Sequence, residues 1–316
     1  MCIRDSPYFM TIVIAGSTGL VGSAITRALI GRGQSVIGIN RKVVDLLDRK
    51  ATFEFINAAK PDLVIDAAAI VGGIGANNNF PVDFLSKNIQ MQSNLMDAAH
   101  AANVERFVFL GSSCIYPRDC AQPIKEEYLM TGPLEQTNSA YAVAKIAGIE
   151  LIRSYRKQFN RKWISLMPTN MYGPNDNFDL ATCHVLPALI NRFVNAEING
   201  ENLVTLWGTG LAKREFMHVD DFASAIFIAA EKYDDGLQMN VGTGEDLTIS
   251  ELATVITQLS GYRGKIEWDS SKPDGTPRKV LDVTKMKNLG WAPAISLEAG
   301  ISSTIEWFKE NSLAKR

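Results

Sequence analysis

A tyrosine and a lysine four residues apart, in Tyr141-Ala142-Val143-Ala144-Lys145, are the residues whose spacing most directly suggests chemistry. On a helix the two side chains share a face. A neighbouring ammonium favours phenolate and draws the tyrosine toward the range of a working proton donor and acceptor. Lys145 is also placed to hold a ribose. Taken alone, such a pair describes any exposed helix, and its meaning comes from its setting. Upstream lies a serine-rich strand end, Phe109-Leu110-Gly111-Ser112-Ser113-Cys114-Ile115-Tyr116-Pro117. There Ser112 is expected to donate a hydrogen bond to a carbonyl oxygen that Tyr141 polarises. Together with a hydride carrier, these groups describe reduction of a ketone.

The hydride carrier is suggested by Gly16-Ser17-Thr18-Gly19-Leu20-Val21-Gly22, which follows an apolar strand and opens a helix. Glycines in that position let the backbone turn tightly and approach a pyrophosphate, and the helix N-terminus faces the phosphate charge. All seven residues of the loop are candidate cofactor contacts. The second strand runs into Asn40-Arg41-Lys42, with no carboxylate to meet an adenosine ribose. Arg41 suits the extra phosphate of NADP, so NADP(H) is favoured, although two solvated surface charges would read the same way. The small residues of Asp66-Ala67-Ala68-Ala69 would let a cofactor lie close to the sheet edge, and a tight helix–sheet contact would account for them equally.

Positioning these groups requires strands buried on both faces. Apolar runs at Thr11–Ala15, Ser35–Ile39, Leu63–Asp66, Arg106–Leu110 and Trp163–Met167 alternate with helical patterns at Ser23–Arg32, Asn88–Ala102 and Tyr141–Phe159. This predicts an α/β fold, a doubly wound parallel sheet of Rossmann type. Beyond Pro168 the pattern loosens into a smaller C-terminal substrate lobe. Helices are expected at His184–Asn195, Val219–Glu231, Thr248–Leu259 and Leu297–Phe308, with strands at Leu203–Trp207, Gln238–Val241 and Lys265–Trp268. We therefore expect a nucleotide-binding domain over 10–167 and a substrate lobe over 168–316, with about 214–242 returning to the first sheet.

Composition excludes several other classes. The 316 residues carry 32 basic and 34 acidic side chains, a formal charge of −2, which gives no excess to draw nucleic acid or an anionic membrane. The four cysteines and three histidines form no zinc or disulfide pattern, so no metal is expected. No apolar run is long enough to span a bilayer, and a cytoplasmic location is expected. The first residues, MCIRDSPYFM, lack the apolar centre of a signal peptide. Met10 directly precedes the first strand and is the expected natural start, with residues 1–9 extraneous.

With these residues in place, the chain from Met10 onward resembles the extended short-chain dehydrogenase/reductase family. The resemblance rests on five strings in order. They are Val71-Gly72-Gly73-Ile74-Gly75-Ala76-Asn77-Asn78, the serine strand end above, and Met167-Pro168-Thr169-Asn170-Met171-Tyr172-Gly173-Pro174, then Arg214-Glu215-Phe216-Met217-His218-Val219-Asp220-Asp221 and Lys272-Pro273-Asp274-Gly275-Thr276-Pro277-Arg278-Lys279. They are most similar to the branch that epimerises GDP-4-keto-6-deoxy-D-mannose at C3 and C5, then reduces C4 with NADPH to give GDP-L-fucose. That resemblance implies catalytic roles for Ser112, Cys114, Tyr141, Lys145 and His184, with Cys114 and His184 exchanging protons beside the ketone. It extends the cofactor set to Leu110, Gly111, Ser112, Tyr141, Lys145, Pro168, Thr169, Asn170, Met171 and His184. It implies Arg192, Trp207, Arg214 and Asp274 as holders of the nucleotide-sugar, and a homodimer joined through helices of the nucleotide-binding part. His218 is expected to be structural.

Without the resemblance, Cys114 reads as a core thiol, His184 as a helix-end surface residue and Trp207 as a core aromatic. One departure stands out, because the family often carries a basic residue where this loop has Ser17-Thr18. That leaves Arg41 with more of the NADP phosphate. A 4,6-dehydratase would carry an Asp-Glu pair where Ser113-Cys114 stands, and a simple 4-epimerase needs neither the thiol nor His184. A non-catalytic NADP-binding protein would not need Ser112, Tyr141 and Lys145 together.

Overall fold

The computed structural model describes residues 11–313 apart from Pro273. The expectation about Met10 falls outside the described residues. In the first part of the chain the elements are β1 (Ile12–Ala15), α1 (Leu20–Ile30), β2 (Val36–Ile39), α2 (Arg49–Ala59), β3 (Leu63–Asp66), α3 (Ile74–Asn79), α4 (Asn88–Ala101), β4 (Arg106–Leu110), α5 (Ser139–Phe159) and β5 (Ile164–Pro168). The remainder comprises β6 (Asn170–Tyr172), α6 (Val185–Ile198), β7 (Leu203–Trp207), β8 (Lys213–Arg214), β9 (Phe216–His218), α7 (Val219–Lys232), β10 (Met239–Val241), β11 (Leu247–Thr248), α8 (Ile249–Ser260), β12 (Lys265–Asp269), β13 (Arg278–Lys279), α9 (Thr284–Asn288) and α10 (Leu297–Phe308).

Six strands form one parallel sheet in the order β2-β1-β3-β4-β5-β10. Successive residues of these strands feed opposite cores, which is why the strands read as unbroken apolar runs. Ile12, Ile14, Leu63, Ile65 and Val108 pack with α1 and α7. Val13, Ala15, Val64, Phe107 and Phe109 pack with α2, α4 and α5 on the other face. The chain leaves β1 toward β2 and resumes on the other side at β3, so the strand order reverses there. A crevice opens at the carboxyl ends of those two strands.

A third core, built around α6, α8 and α10 with Val204, Leu206 and Phe216, fills the smaller lobe. Its strands make short sheets of their own: β7 with β12, β8 between β11 and β13, and β6 with β9. Of the segment 214–242 expected to rejoin the main sheet, β10 does so beside β5, and α7 covers the face shared with α1. The chain also returns a second time. Ile124 N–H donates to Val280 O at 2.8 Å, and Leu281 and Val283 enter the α4/α5 core.

Glu215 ties these crossings together. It is fully buried, and its carboxylate accepts N–H bonds from Gly244 at 2.8 Å and Leu281 at 2.9 Å. Its own carbonyl accepts from Thr169 Oγ1 and Asn170 Nδ2. Glu215→Ala leaves the buried N–H of Leu281 without an acceptor, worth about 1–3 kcal/mol, releases the part-buried N–H of Gly244, and opens a cavity where the side chain stood. We expect the variant to lose on the order of 2–5 kcal/mol in urea unfolding. A midpoint matching the parent's would count against the bracket.

Candidate active site

The crevice is shaped by backbone. Gly16 has φ +77°, a left-handed conformation, and a Cβ there would lie 2.7 Å from Ala67 O. A Cβ on Gly22 would lie 2.1 Å from Gly16 O, so glycine at both positions lets loop, helix and β3 end meet. Helix α1 begins at N-cap Gly19 with no side-chain cap, and its first intrahelical bond is Ser23 N–H to Gly19 O. The N–H groups of Leu20, Val21 and Gly22 therefore face outward from a positive helix end, as a dinucleotide pyrophosphate requires. Both donors of Ser17 go to Ile39 O, leaving Thr18 as the exposed hydroxyl of the loop. Asn40 Oδ1 accepts from Lys42 N–H and shapes the turn on which Arg41 stands exposed.

Tyr141 and Lys145 lie on the first turns of α5, facing the sheet. Lys145 is 3% exposed, and its ammonium donates to Leu110 O at 2.8 Å, 4.9 Å from the Phe109 ring centroid and 5.8 Å from that of Tyr141. Tyr141 is half-buried and meets the ring of Phe84 edge-on. The sequence reading, in which the ammonium lowers the phenol, is corrected here. Burial, followed by Cys114 and Asp66, holds Tyr141 well above the ordinary phenol range. Burial likewise pushes the Lys145 ammonium down. Desolvation of the phenolate outweighs the single ammonium, so Tyr141 rests as a neutral phenol.

Ser112 is the N-cap of the short turn Ser113–Ile115, its Oγ accepting Cys114 N–H at 3.3 Å. This turn sets Cys114, 7% exposed, against the same pocket. Burial raises the Cys114 thiol, while Lys279, the Ser112 hydroxyl and Lys145 pull it down. His184 sits at the N-terminus of α6, accessible to solvent. Although part of its surface opens to solvent, the protein packed around it strips water from the ring, and this desolvation, followed by the Lys279 charge, holds the imidazole below its usual value. Neither shift brings its group toward neutrality, since the thiol moves up from 9.0 and the imidazole down from 6.5. At neutral pH the pocket holds a protonated thiol and a neutral imidazole, because loss of water penalises the charged form of each.

The remaining expected residues are spread along the same cleft. Gly111 N–H donates to Leu166 O, Pro168 ends β5, and Thr169 N–H donates to Val241 O, which bring this strand end beside Leu110. Asn170 is anchored through Glu215 O, and Met171 is half-buried on β6. Further out, Arg192 donates weakly to Thr205 O at 3.4 Å, and Arg214 bonds Lys213 O and Asp274 O. The Asp274 carboxylate takes both the N–H and hydroxyl of Thr209 at 2.7 Å, fixing the turn after β7. Trp207, read without the resemblance as a core aromatic, is 66% exposed with the Lys272 ammonium 5.8 Å from its ring centroid. His218 caps α7 through Nδ1 and lies edge-on to Tyr172.

Two residues without an assigned role belong to this pocket. Asp66, 1% exposed, is pushed up to about 6 by burial against the pull of Lys145, and its Oδ2 has no hydrogen-bond partner among the described residues. Lys279 on β13 influences both Cys114 and His184. Asp66 ends the small-residue run after β3 and Lys279 closes the 272–279 stretch, but only folding shows what surrounds them. Among the described residues, no cluster of histidine, cysteine or carboxylate side chains could hold a metal ion.

Residues 12–242 match the NAD dependent epimerase/dehydratase family. The chain is 49% identical over 310 residues to the GDP-L-fucose synthase of Escherichia coli (strain K12), covering 95% of this chain and 97% of that one. It is 48% identical to GDP-L-fucose synthase 1 of Arabidopsis thaliana, over 95% of this chain and 93% of the relative. Among solved structures, a GDP-L-fucose synthetase from Naegleria fowleri bound to NADP superposes with a TM-score of 0.88, at 28% identity and 98% coverage of both chains.

Proposed function

Because this chain belongs to the NAD dependent epimerase/dehydratase family of extended short-chain dehydrogenases/reductases, we propose that it is a GDP-L-fucose synthase. It epimerises GDP-4-keto-6-deoxy-D-mannose at C3 and C5, then reduces C4 with NADPH. The observation that carries the reading is the Cys114 thiol set beside Tyr141 and Lys145 by the turn that Ser112 caps. A simple ketone reductase has no use for that thiol.

The glycine cradle and the uncapped start of α1 fit a dinucleotide, held by residues 16–22, with Arg41 toward the adenosine phosphate and Leu110, Gly111 and 168–171 toward the nicotinamide end. When bound, NADPH supplies the hydride. Ser112 and Tyr141 donate hydrogen bonds to the C4 oxygen, which acidifies the protons on C3 and C5 by stabilising the enolate. One member of the Cys114–His184 pair takes a proton from carbon, and the other returns one to the opposite face. A thiol and a neutral imidazole hold between them the single proton that inversion needs. In the reduction Tyr141 gives its phenolic proton to the C4 oxygen, with Lys145 stabilising the phenolate that remains. Arg192, Arg214 and Lys279 supply positive charge along the cleft for the diphosphate, and Trp207 offers a flat exposed face to the nucleotide.

Mixing the protein with NADPH and GDP-4-keto-6-deoxy-D-mannose should consume NADPH, with NMR of the product reading L-fuco stereochemistry. No turnover, together with turnover of UDP- or dTDP-keto sugars, would overturn the GDP-sugar assignment. A preference for NADH in the same assay would overturn NADPH. The reading extends to a cytoplasmic homodimer joined through α4 and α5, supported by exposed Val143 on α5. Sedimentation as a monomer would remove that part.

A further inference from the structure

The string Val71-Gly72-Gly73-Ile74-Gly75 has no role in the steps above, yet it crosses the cleft. Its start is fixed to the nucleotide-binding side. Asn88 accepts Ile70 N–H at 2.7 Å and donates back to Ile70 O at 3.0 Å. Asn77, buried on α3, donates to Gly72 O at 2.7 Å and Gly73 O at 3.1 Å, so the two glycines form a stiff strap. The far side of the strap meets the lobe, where Gly73 N–H donates to Thr182 O at 2.8 Å.

The next two residues of that lobe segment are Cys183 and His184. Thr182 and Cys183 are themselves anchored, both N–H groups donating to Asp179 O, at 3.0 and 2.8 Å. A Cβ on Gly73 would stand 2.4 Å from Cys183 O and 3.4 Å from Cys183 C. Gly73 has φ −65° and ψ 179°, which any residue adopts, so close approach and not backbone conformation demands glycine here. The obstructing atom is the carbonyl of the peptide leading into His184. It cannot swing aside as a side chain would, and any relief must move that peptide plane and the imidazole with it. Gly75, two residues on, is the contrast, because a Cβ there meets nothing within 4 Å.

We propose that Gly73 is a positioning residue for epimerisation, holding His184 in register with Cys114 across the cleft through the Thr182–Cys183 backbone. The inference rests on the reading of His184 as a proton-exchange group. Its physical reason is that Cys114 follows β4 of the main sheet while His184 opens a helix of the lobe. The pair therefore needs a tie between the two parts. Proton transfer is sensitive to displacements of about 1 Å, which can lower rates about 10²-fold.

The test compares Gly73→Ala, Gly75→Ala and His184→Gln in two half-reactions. One is deuterium incorporation from D2O at C3 and C5 of GDP-4-keto-6-deoxy-D-mannose, read by NMR with NADP+ present. The other is the initial rate of NADPH formation from GDP-L-fucose and NADP+, which needs hydride transfer and no epimerisation. Gly73→Ala should lower exchange by at least about tenfold and leave hydride transfer within about twofold, with Gly75→Ala unchanged in both. Exchange at the parent rate in Gly73→Ala, or equal loss in both half-reactions, overturns the proposal. If His184→Gln keeps full exchange, the reading of His184 fails. If His184→Gln loses exchange and Gly73→Ala does not, only the strap fails. Should Gly73→Ala not fold, Gly72→Ala carries the test, with its Cβ 3.0 Å from that of Ala76 and 3.2 Å from Thr182 O. It should show a smaller loss of exchange in the same direction, and parent-like exchange there overturns the proposal.

Discussion

Tyr141→Phe should lower NADPH-dependent reduction by about 10²–10⁴-fold, the range associated with removing a positioned general acid. Phenylalanine keeps the ring, so the edge contact with Phe84 and the proximity to the Lys145 ammonium survive. Only the hydroxyl is lost. Because burial holds Tyr141 well above the ordinary phenol range, the hydroxyl is protonated throughout neutral pH and ready to donate. Proton exchange at C3 and C5 should suffer less, about tenfold at most, because Ser112 still stabilises the enolate oxygen. The measurement is the ratio of NADPH oxidation to deuterium incorporation in the same preparation. Reduction within about fivefold of the parent would remove Tyr141 from the proton-donor role.

Cys114→Ser should have the opposite selectivity, with exchange falling by about 10²–10³-fold and hydride transfer from GDP-L-fucose to NADP+ largely preserved. A serine hydroxyl fits the volume but neither ionises nor gives up its proton in the needed range. The parent enzyme's pH profile for exchange follows from the two shifted groups. The His184 imidazole lies below its ordinary 6.5, so falling pH protonates it only beneath that value. The Cys114 thiol lies above its ordinary 9.0, so rising pH removes its proton only beyond that value. Between them the pair keeps its single shared proton. Exchange should stay flat from 6.5 to 9.0 and decline on both sides. A limb near pH 7.5 that disappears in Cys114→Ser would show the thiol exposed to water or strongly charged, contrary to its burial.

Much of this protein was determined by the sequence alone. The Leu63–Asp66, Arg106–Leu110 and Leu203–Trp207 strands and the Leu297–Phe308 helix have the bounds their patterns predicted, because periodicity and turn residues act between near neighbours. Helix α2 was not legible. It buries only Thr52 and Ile56, too few positions to mark a face, and it is set by Asp48 capping Ala51 N–H. The glycine loop and the Tyr-Lys spacing were visible as types and distances along the chain, and the five strings pointed to the family.

The state of those groups was decided only by the tertiary structure. Chain spacing placed an ammonium near Tyr141 but could not show how much water folding removes, and desolvation reversed the expected shift. Asp66 looked like the end of a small-residue strand until the sheet register set it beside Phe109, within the influence of the Lys145 charge. Trp207 could be core or surface until β7 closed against β12 with the indole outside. Local patterns are written in covalent order, whereas burial and charge depend on distances through space. Residues as far apart as Gly73 and Cys183 become neighbours only when the whole chain has folded.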